Sequence, residues 1–327
     1  MIKWKDIANK VAYISLVVIL AFIVIFSGLQ ILESTVCYTD TQDPVTTKTI
    51  VRHGISYFPR QDITVVMVIG IDRFGVVKDS NSYNNRGAAD MVSLLIFDET
   101  NEKCDILCLN RDTMLEMPVL GLGGKEAGTV YQQLALSHTY GSGLEDSCEN
   151  TRKTVSNLLY GIDIDHYVSM NMDAIGILND AVGGVTVNVV DDFSEIDASI
   201  PVGQVKLKGN QAINFVRTRQ GVADQTNISR MDRQEQYMDG FIEAVRAKQA
   251  EDPEFVVAAY DDVKDYVVTD CSATTLSDIL NRYANYKVQD VISPEGENVL
   301  GNTYYEFHVD EEKLDALILE LFYAPKK

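Results

Sequence analysis

Residues 62–70, DITVVMVIG, form an unbroken apolar run rich in β-branched side chains, and the run ends in Gly-Ile-Asp-Arg at 70–73. Apolar side chains at both odd and even positions mark a strand covered on two faces rather than one. The stretch therefore predicts a strand buried in the middle of a sheet, with Asp72 delivered at its end. Two more strands follow at 91–97 and 104–109, joined by DETNEK, which makes them a hairpin. Cys104 and Cys108 share one face of the second strand and read as small core residues. The loop from Arg73 to Asp90 is long, polar and rich in Asn and Gly, and long loops at strand ends are where sites are built. After Leu109 comes a second charged cluster at a strand end, Asn110-Arg111-Asp112-Thr113, and then a Gly-rich loop over 120–128.

The remaining elements repeat the alternation. A helix is predicted over Ser147–Leu159 and stopped by Gly161; the strand HYVSM follows, then a helix over Asp173–Ala181 stopped by Gly183-Gly184, and the strand VTVNVV. Strands alternating with helices predict an α/β domain with a central mixed sheet and helices on both faces. From Glu251 onward the chain reads as peripheral and helical, closing with the strand YYEFHV and an amphipathic helix over Glu311–Phe322. Tyr304, Tyr305 and Phe307 there read as packing.

The address is written in the first residues. Residues 11–32 are uncharged and largely apolar, about the twenty residues a membrane-spanning helix needs. Lys3, Lys5 and Lys10 precede them against Asp6 alone, so the N-terminus is expected in the cytoplasm and the chain after Glu33 outside. No A-x-A-like site follows, which argues for a retained anchor over a cleaved leader. The expected division is a tail at 1–10, a transmembrane helix at 11–32, a polar spacer at 33–60, a catalytic domain at 61–250 and an extension at 251–327 packed on it.

The formal charge is −20, and the first 32 residues carry a net positive charge, so the outer part is more acidic still. Such a surface repels nucleic acid over most of its area. Any anion site must be local. One is offered at 215–236, FVRTRQGVADQTNISRMDRQEQ, which holds Arg217, Arg219, Arg230 and Arg233 around a Gly/Asp/Asn-rich loop between two predicted helices, Lys208–Phe215 and Ser229–Lys248. Planar, permanently charged guanidiniums converging across a loop suit phosphate; the plainer reading is two helix ends with solvated charges. Asp72 and Asp90, with no His or Cys beside them, suit a hard cation such as Mg²⁺, or else cap a turn and begin a strand. The five Cys are odd in number and include no C-x-x-C, so spacing indicates neither a disulfide framework nor a zinc site. The four His sit in unrelated contexts, and no nucleophile-His-carboxylate set stands out.

From Asp62 to Val245 the chain resembles the LytR-CpsA-Psr proteins of Gram-positive cell envelopes. The likeness is carried by GID at Asp72, RGAADM around Asp90, LNRDT at Arg111, FVRTR at Arg217 and Arg219, and SRMDRQEQ from Arg230, with YGIDIDHYVSMN and LNDAVGGVTVNV between. The resemblance implies an α/β/α sandwich with a long apolar slot for a lipid tail. It also implies a phosphotransferase that moves a polyprenyl-pyrophosphate-linked glycopolymer from its membrane lipid to peptidoglycan. Carried over by motif, Asp72 and Asp90 would hold Mg²⁺, with Mn²⁺ as the alternative. Arg111, Arg217 and Arg219 would be catalytic, with Asp112 orienting Arg111. Arg86, Arg111, Arg217, Arg219, Arg230, Arg233 and Gln234 would line the pyrophosphate. Two positions depart from the family pattern: Ala88 stands where an Arg usually precedes the second Asp, and Gln133-Leu134-Ala135 where Lys-x-Asn is common. Two other readings use the same residues, a non-catalytic module that binds lipid-linked polymer and a hydrolase that passes the group to water.

Overall fold

The computed structural model describes residues 49–218, 221–222, 255–283, 286–301 and 304–325, with scattered positions between 233 and 252. The predicted anchor at 11–32 lies outside the described residues, and among those described no helix is long and apolar enough to cross a membrane.

In chain order the elements are β1 (Ile50–Arg52), β2 (Ile55–Pro59), β3 (Ile63–Ile71), β4 (Ala89–Asp98), β5 (Lys103–Leu109), β6 (Met114–Leu120), β7 (Glu126–Gln133), α1 (Glu145–Leu158), β8 (His166–Asn171) and α2 (Met172–Ala181). There follow β9 (Thr186–Val189), β10 (Gly203–Lys206), α3 (Asn210–Arg217), α4 (Phe255–Val263), β11 (Val267–Thr269), α5 (Ala273–Tyr283), β12 (Lys287–Ile292), β13 (Gly296–Leu300), β14 (Tyr305–Val309), α6 (Glu311–Phe322) and β15 (Tyr323–Pro325). Six strands make the central sheet in the order β11-β8-β3-β4-β5-β12. It is mixed: β3 runs antiparallel to β4 and parallel to β8, and β4 and β5 form the expected hairpin, with Asp98 opposite Lys103.

The two-sided apolar pattern of β3 has a direct cause, because each parity feeds a different core. Val66 and Val68 join Leu95, Phe97 and Ile106 against Ala174 and Leu178 of α2 and Phe215 of α3. Met67 and Ile69 join Leu94, Ile96 and Leu107 against Val155 of α1 and Ile318 and Leu321 of α6. Met67 and Ile69 are completely shielded, and burying such side chains stabilises by roughly 1.5–3 kcal/mol each. The sheet is thus the middle layer of an α/β/α arrangement.

The C-terminal third departs from the expectation of a helical periphery. It supplies both edges of the central sheet, β11 beside β8 and β12 beside β5. Its helices cover the sheet, and they draw the eye in the sequence more than strands of three and six residues do. Tyr304 and Tyr305 also depart from expectation: they are 70% and 62% exposed, and only Phe307 packs.

Candidate active site

The site assembles at the end of the sheet where β3 finishes, β4 begins and β5 finishes. Gly70 pairs with Met91 and Ile71 with Ala89, so Asp90 is left over between two regular pairs. Such a bulge re-aims a side chain that the pleat would otherwise bury or bend away. Asp72 follows β3 directly, and its N–H donates to the Ala88 carbonyl at 3.3 Å, which keeps the two segments joined past the bulge. Gly70 has a local reason to be glycine, since a Cβ there would come within 3.1 Å of the Met91 Cβ.

Arg111 and Asp112 lie just past β5, level with Asp90. The Arg111 Nη1 meets the Asp90 Oδ1 at 2.6 Å, and its Nε lies 3.7 Å from the Asp112 Oδ1. The backbone that carries Arg111 is fixed by the Ala135 N–H, which donates to the Arg111 carbonyl at 2.9 Å. Arg217 arrives from the opposite layer as the last residue of α3. Its Nη2 lies 3.4 Å from the Asp72 Oδ1, and its guanidinium sits 5.3 Å from the centre of the Phe74 ring.

Burial raises the Asp90 carboxyl above its ordinary range; Arg111 pulls it back, while the negative charges of Asp72 and Asp112 push it up. Burial likewise raises Asp112 against the opposing pull of Arg111. Three carboxylates therefore share two guanidiniums. Asp72 and Asp90 offer oxygen donors only, each with one arginine as its counter-charge, which is the donor chemistry a hard cation takes.

The loop bearing Phe74 and Arg86 is tied down at several points. The Gly75 N–H donates to the Asp173 carboxylate and the Asn171 side-chain amide to the Gly75 carbonyl, so the start of α2 clamps it. Buried Asn85 donates to the His138 carbonyl at 2.7 Å and to the Ser147 Oγ at 2.9 Å. His138, also buried, bonds the Gly87 carbonyl through Nδ1 at 2.9 Å. Burial holds its imidazole down to about 4, so it is neutral at neutral pH and Nδ1 is the donor.

The structure thus brings together Asp72, Asp90, Arg111, Asp112 and Arg217. Arg86 is exposed on the loop leading into Asp90, with a left-handed backbone at φ 63°. Arg219, Arg230 and Gln234 lie outside the described residues. Arg233 requires a correction, because it is not free to line a ligand. It is 5% exposed, its Nε donates to the Phe215 carbonyl at 3.0 Å, its Nη2 to the Thr218 carbonyl, and its Nη1 pairs with Asp191 at 2.9 Å. Its work is to close the C-terminal end of α3, whose last carbonyls lack intrahelical donors, and so to hold Arg217 in place.

One contributor was missed in the sequence, and another was noted only as a departure from the family pattern. Phe74 stacks on Arg217 and could have been noticed directly after GIDR. Gln133, where the family pattern has Lys, donates both to the Asp112 Oδ1 at 3.0 Å and to the Tyr305 carbonyl at 2.8 Å. It couples the site to the β13–β14 ribbon, where the Phe307 N–H also donates to the Asp112 carbonyl at 2.8 Å.

The profile of the LytR_cpsA_psr family matches residues 31–322. The chain belongs to that family. Among its relatives, the polyisoprenyl-teichoic acid–peptidoglycan teichoic acid transferase TagU of Oceanobacillus iheyensis is 26% identical over 271 residues, covering 81% of this chain and 77% of that protein. TagU of Halalkalibacterium halodurans, with the same description, is 29% identical over 258 residues, covering 77% and 76%. The crystal structure of B. subtilis TagV superposes with a TM-score of 0.56 at 22% identity, over 80% of this LytR_cpsA_psr chain and 96% of that one. A structure of TagT bound to LI-WTA gives 0.55 at 21% identity, over 80% and 90%. These two likenesses establish the shared fold.

Proposed function

We propose that this LytR_cpsA_psr protein is a membrane-anchored, Mg²⁺-dependent phosphotransferase that moves a glycopolymer from a polyprenyl pyrophosphate to peptidoglycan. The observation that carries the reading is the convergence of Asp72, Asp90, Arg111 and Arg217 from four separate segments onto one end of the sheet. The names of the curated relatives, teichoic acid transferases acting on peptidoglycan, supply the reaction class.

Asp72 and Asp90 would hold the cation, which when bound supplies charge neutralisation to the pyrophosphate oxygens. The residues of the chain do the rest. Arg111 and Arg217, both about half exposed, exchange their carboxylate partners for phosphate oxygens, which a guanidinium fork can bond two at a time. Asp112 keeps Arg111 aimed. Phe74 shields one face of Arg217 from water and strengthens its charge interactions. An acceptor sugar hydroxyl forms its bond to the polymer-side phosphorus as the bond to the bridging oxygen breaks. The electron pair leaves with the lipid phosphate, and the hydroxyl proton passes to solvent. Catalysis is positioning and charge stabilisation, as in phosphoryl transfer generally.

The anchor at 11–32 would hold the site near its lipid substrate. The apolar slot implied by the family would lie between the sheet and the α2–α3 layer.

The test is to incubate the full-length protein with a lipid-pyrophosphate glycan, Mg²⁺ and peptidoglycan. Transfer predicts lipid monophosphate together with glycan attached to peptidoglycan, both lost in Asp72→Asn and Asp90→Asn while the fold is kept. Lipid phosphate released with the glycan left free would make the protein a hydrolase. Tight binding without any phosphate release would make it a binding module.

A further inference from the structure

At the opposite end of the sheet, the first residue of β8 faces the residues just past β11. Thr269 pairs with Val168 in an antiparallel register, and continuing it two residues sets Cys271 across from His166. A ring nitrogen of His166, the Asp270 carboxylate and the Cys271 Sγ all lie within 4.8 Å of one another.

Two edges of this triangle are better defined. The His166 Nδ1 lies 3.6 Å from the Asp270 Oδ1, and the Cys271 Sγ lies 3.6 Å from the same oxygen. Ligands bound tetrahedrally at about 2.0–2.3 Å stand about 3.3–3.6 Å apart, so both edges have the length a shared ion requires. A second observation points to a ligand: the His166 Nδ1 is buried and has no hydrogen-bond partner, alone in this among side-chain N and O atoms of the described residues. The carboxylate is already oriented. The Tyr167 N–H donates to its Oδ1 at 2.9 Å, and the Arg152 Nη1 stands 3.5 Å from its Oδ2. Such outer contacts are what fix ligands in metal sites. Asp270 is exposed, so an ion has a way in.

We infer that His166, Asp270 and Cys271 form a three-ligand site for a borderline transition-metal cation, zinc in the first place, with a fourth position open to solvent. Nitrogen, oxygen and sulfur donors together select such an ion over Mg²⁺. Cys271 binds as the thiolate: its S–H proton is released and the sulfur lone pair goes to the cation. β8 is parallel to β3 with His166 opposite Val66 and Asn171 opposite Ile71, so the site is about 17 Å from the Asp72 end at 3.3 Å per residue. Its role is to clamp the edge strand β11 to the sheet, and it is independent of the transferase reading. Sequence spacing missed it because the ligands come from strands a hundred residues apart.

Cobalt(II) is the probe. Full-length protein, stripped with chelator and kept in Mg²⁺, should take up one equivalent of Co²⁺ and develop a thiolate-to-cobalt charge-transfer band. Zn²⁺ should displace the band and raise the melting midpoint. Cys271→Ser and His166→Gln should each lose the band and weaken Co²⁺ binding by at least about tenfold. His166→Gln removes no Nδ1 hydrogen bond and should melt like the metal-free wild type, so its loss of binding would not be a loss of fold. Asp72→Asn should keep the band. No band in the wild type, or one that survives Cys271→Ser, would overturn the site and leave His166 and Asp270 merely close neighbours.

Discussion

At the scale of the residue, the two arginines at the ends of one sequence cluster do opposite jobs. Arg217 is half exposed beside Asp72, whereas Arg233 is 5% exposed and spends its fork on two carbonyls and Asp191. Replacing each by Lys should separate them. Arg217→Lys keeps the charge but loses the bidentate geometry. A charge-assisted bond is worth about 1.5–3 kcal/mol, so turnover should fall about ten- to hundredfold with the melting midpoint unchanged. Arg233→Lys should instead destabilise the fold by about 3–5 kcal/mol, the loss expected when a buried charge is left incompletely paired. Thermal melting and initial rates on the same two variants check both. An unchanged rate in Arg217→Lys would reduce this part of the site to a charge network. The sequence displays four arginines around a loop, but it does not say which face of the chain each occupies. That is decided by packing, here Phe193 against the Arg233 guanidinium at 5.4 Å. Asp90 is similar: its identity is legible, while the bulge that leaves it unpaired depends on register.

At the scale of the element, β3 was readable because its two-sided burial leaves a composition that nothing else explains. The β4–β5 hairpin, α1 and α2 were readable because turn and stop signals frame them, and α6 because its pattern is amphipathic. The short edge strands β11 and β12 were not, because three to six residues carry too little pattern and their place in the sheet is fixed by partners far away. Their position makes a prediction. Ending the chain at residue 250 removes both sheet edges and α6, whose Ile318 and Leu321 fill one core. Such a truncation should give no cooperative melting transition, whereas a folded product would return the C-terminal third to the periphery. The loop of the active site responds to pH through a buried element beside it. His138 ordinarily titrates at 6.5 and is held by burial to about 4 in the folded state. Its folded value is depressed, so the unfolded chain takes the proton first and stability falls as pH drops from 6.5 towards 4. The full effect is about 3 kcal/mol. His138→Gln, which cannot titrate, should flatten that part of the stability curve in a melting series across this range. An equal slope in wild type and variant would place the acid sensitivity elsewhere.

At the scale of the whole molecule, a strongly acidic protein bears the site proposed above for a polyanionic pyrophosphate. The formal charge of −20 is spread over the chain, while Arg111 and Arg217 stand together at one end of the sheet. Two fields therefore act on an incoming polymer, a long-range repulsion and a short-range attraction. They differ in range, and salt separates them. The Debye length is about 30 Å at 0.01 M and about 8 Å at 0.15 M. Raising salt across this interval removes repulsion between surface and distant polymer charges but screens close guanidinium–phosphate contacts much less. For a polymer with charged repeat units, such as a polyol phosphate, kcat/KM should rise with salt at fixed Mg²⁺. For a neutral polysaccharide on the same lipid pyrophosphate it should stay nearly flat, since only the local anion is charged. The comparison thereby reads out the charge class of the polymer the surface tolerates. A kcat/KM that falls steadily with salt for both polymers would show that the arginine end dominates even at long range, and the acidic remainder would then have no part in choosing the substrate.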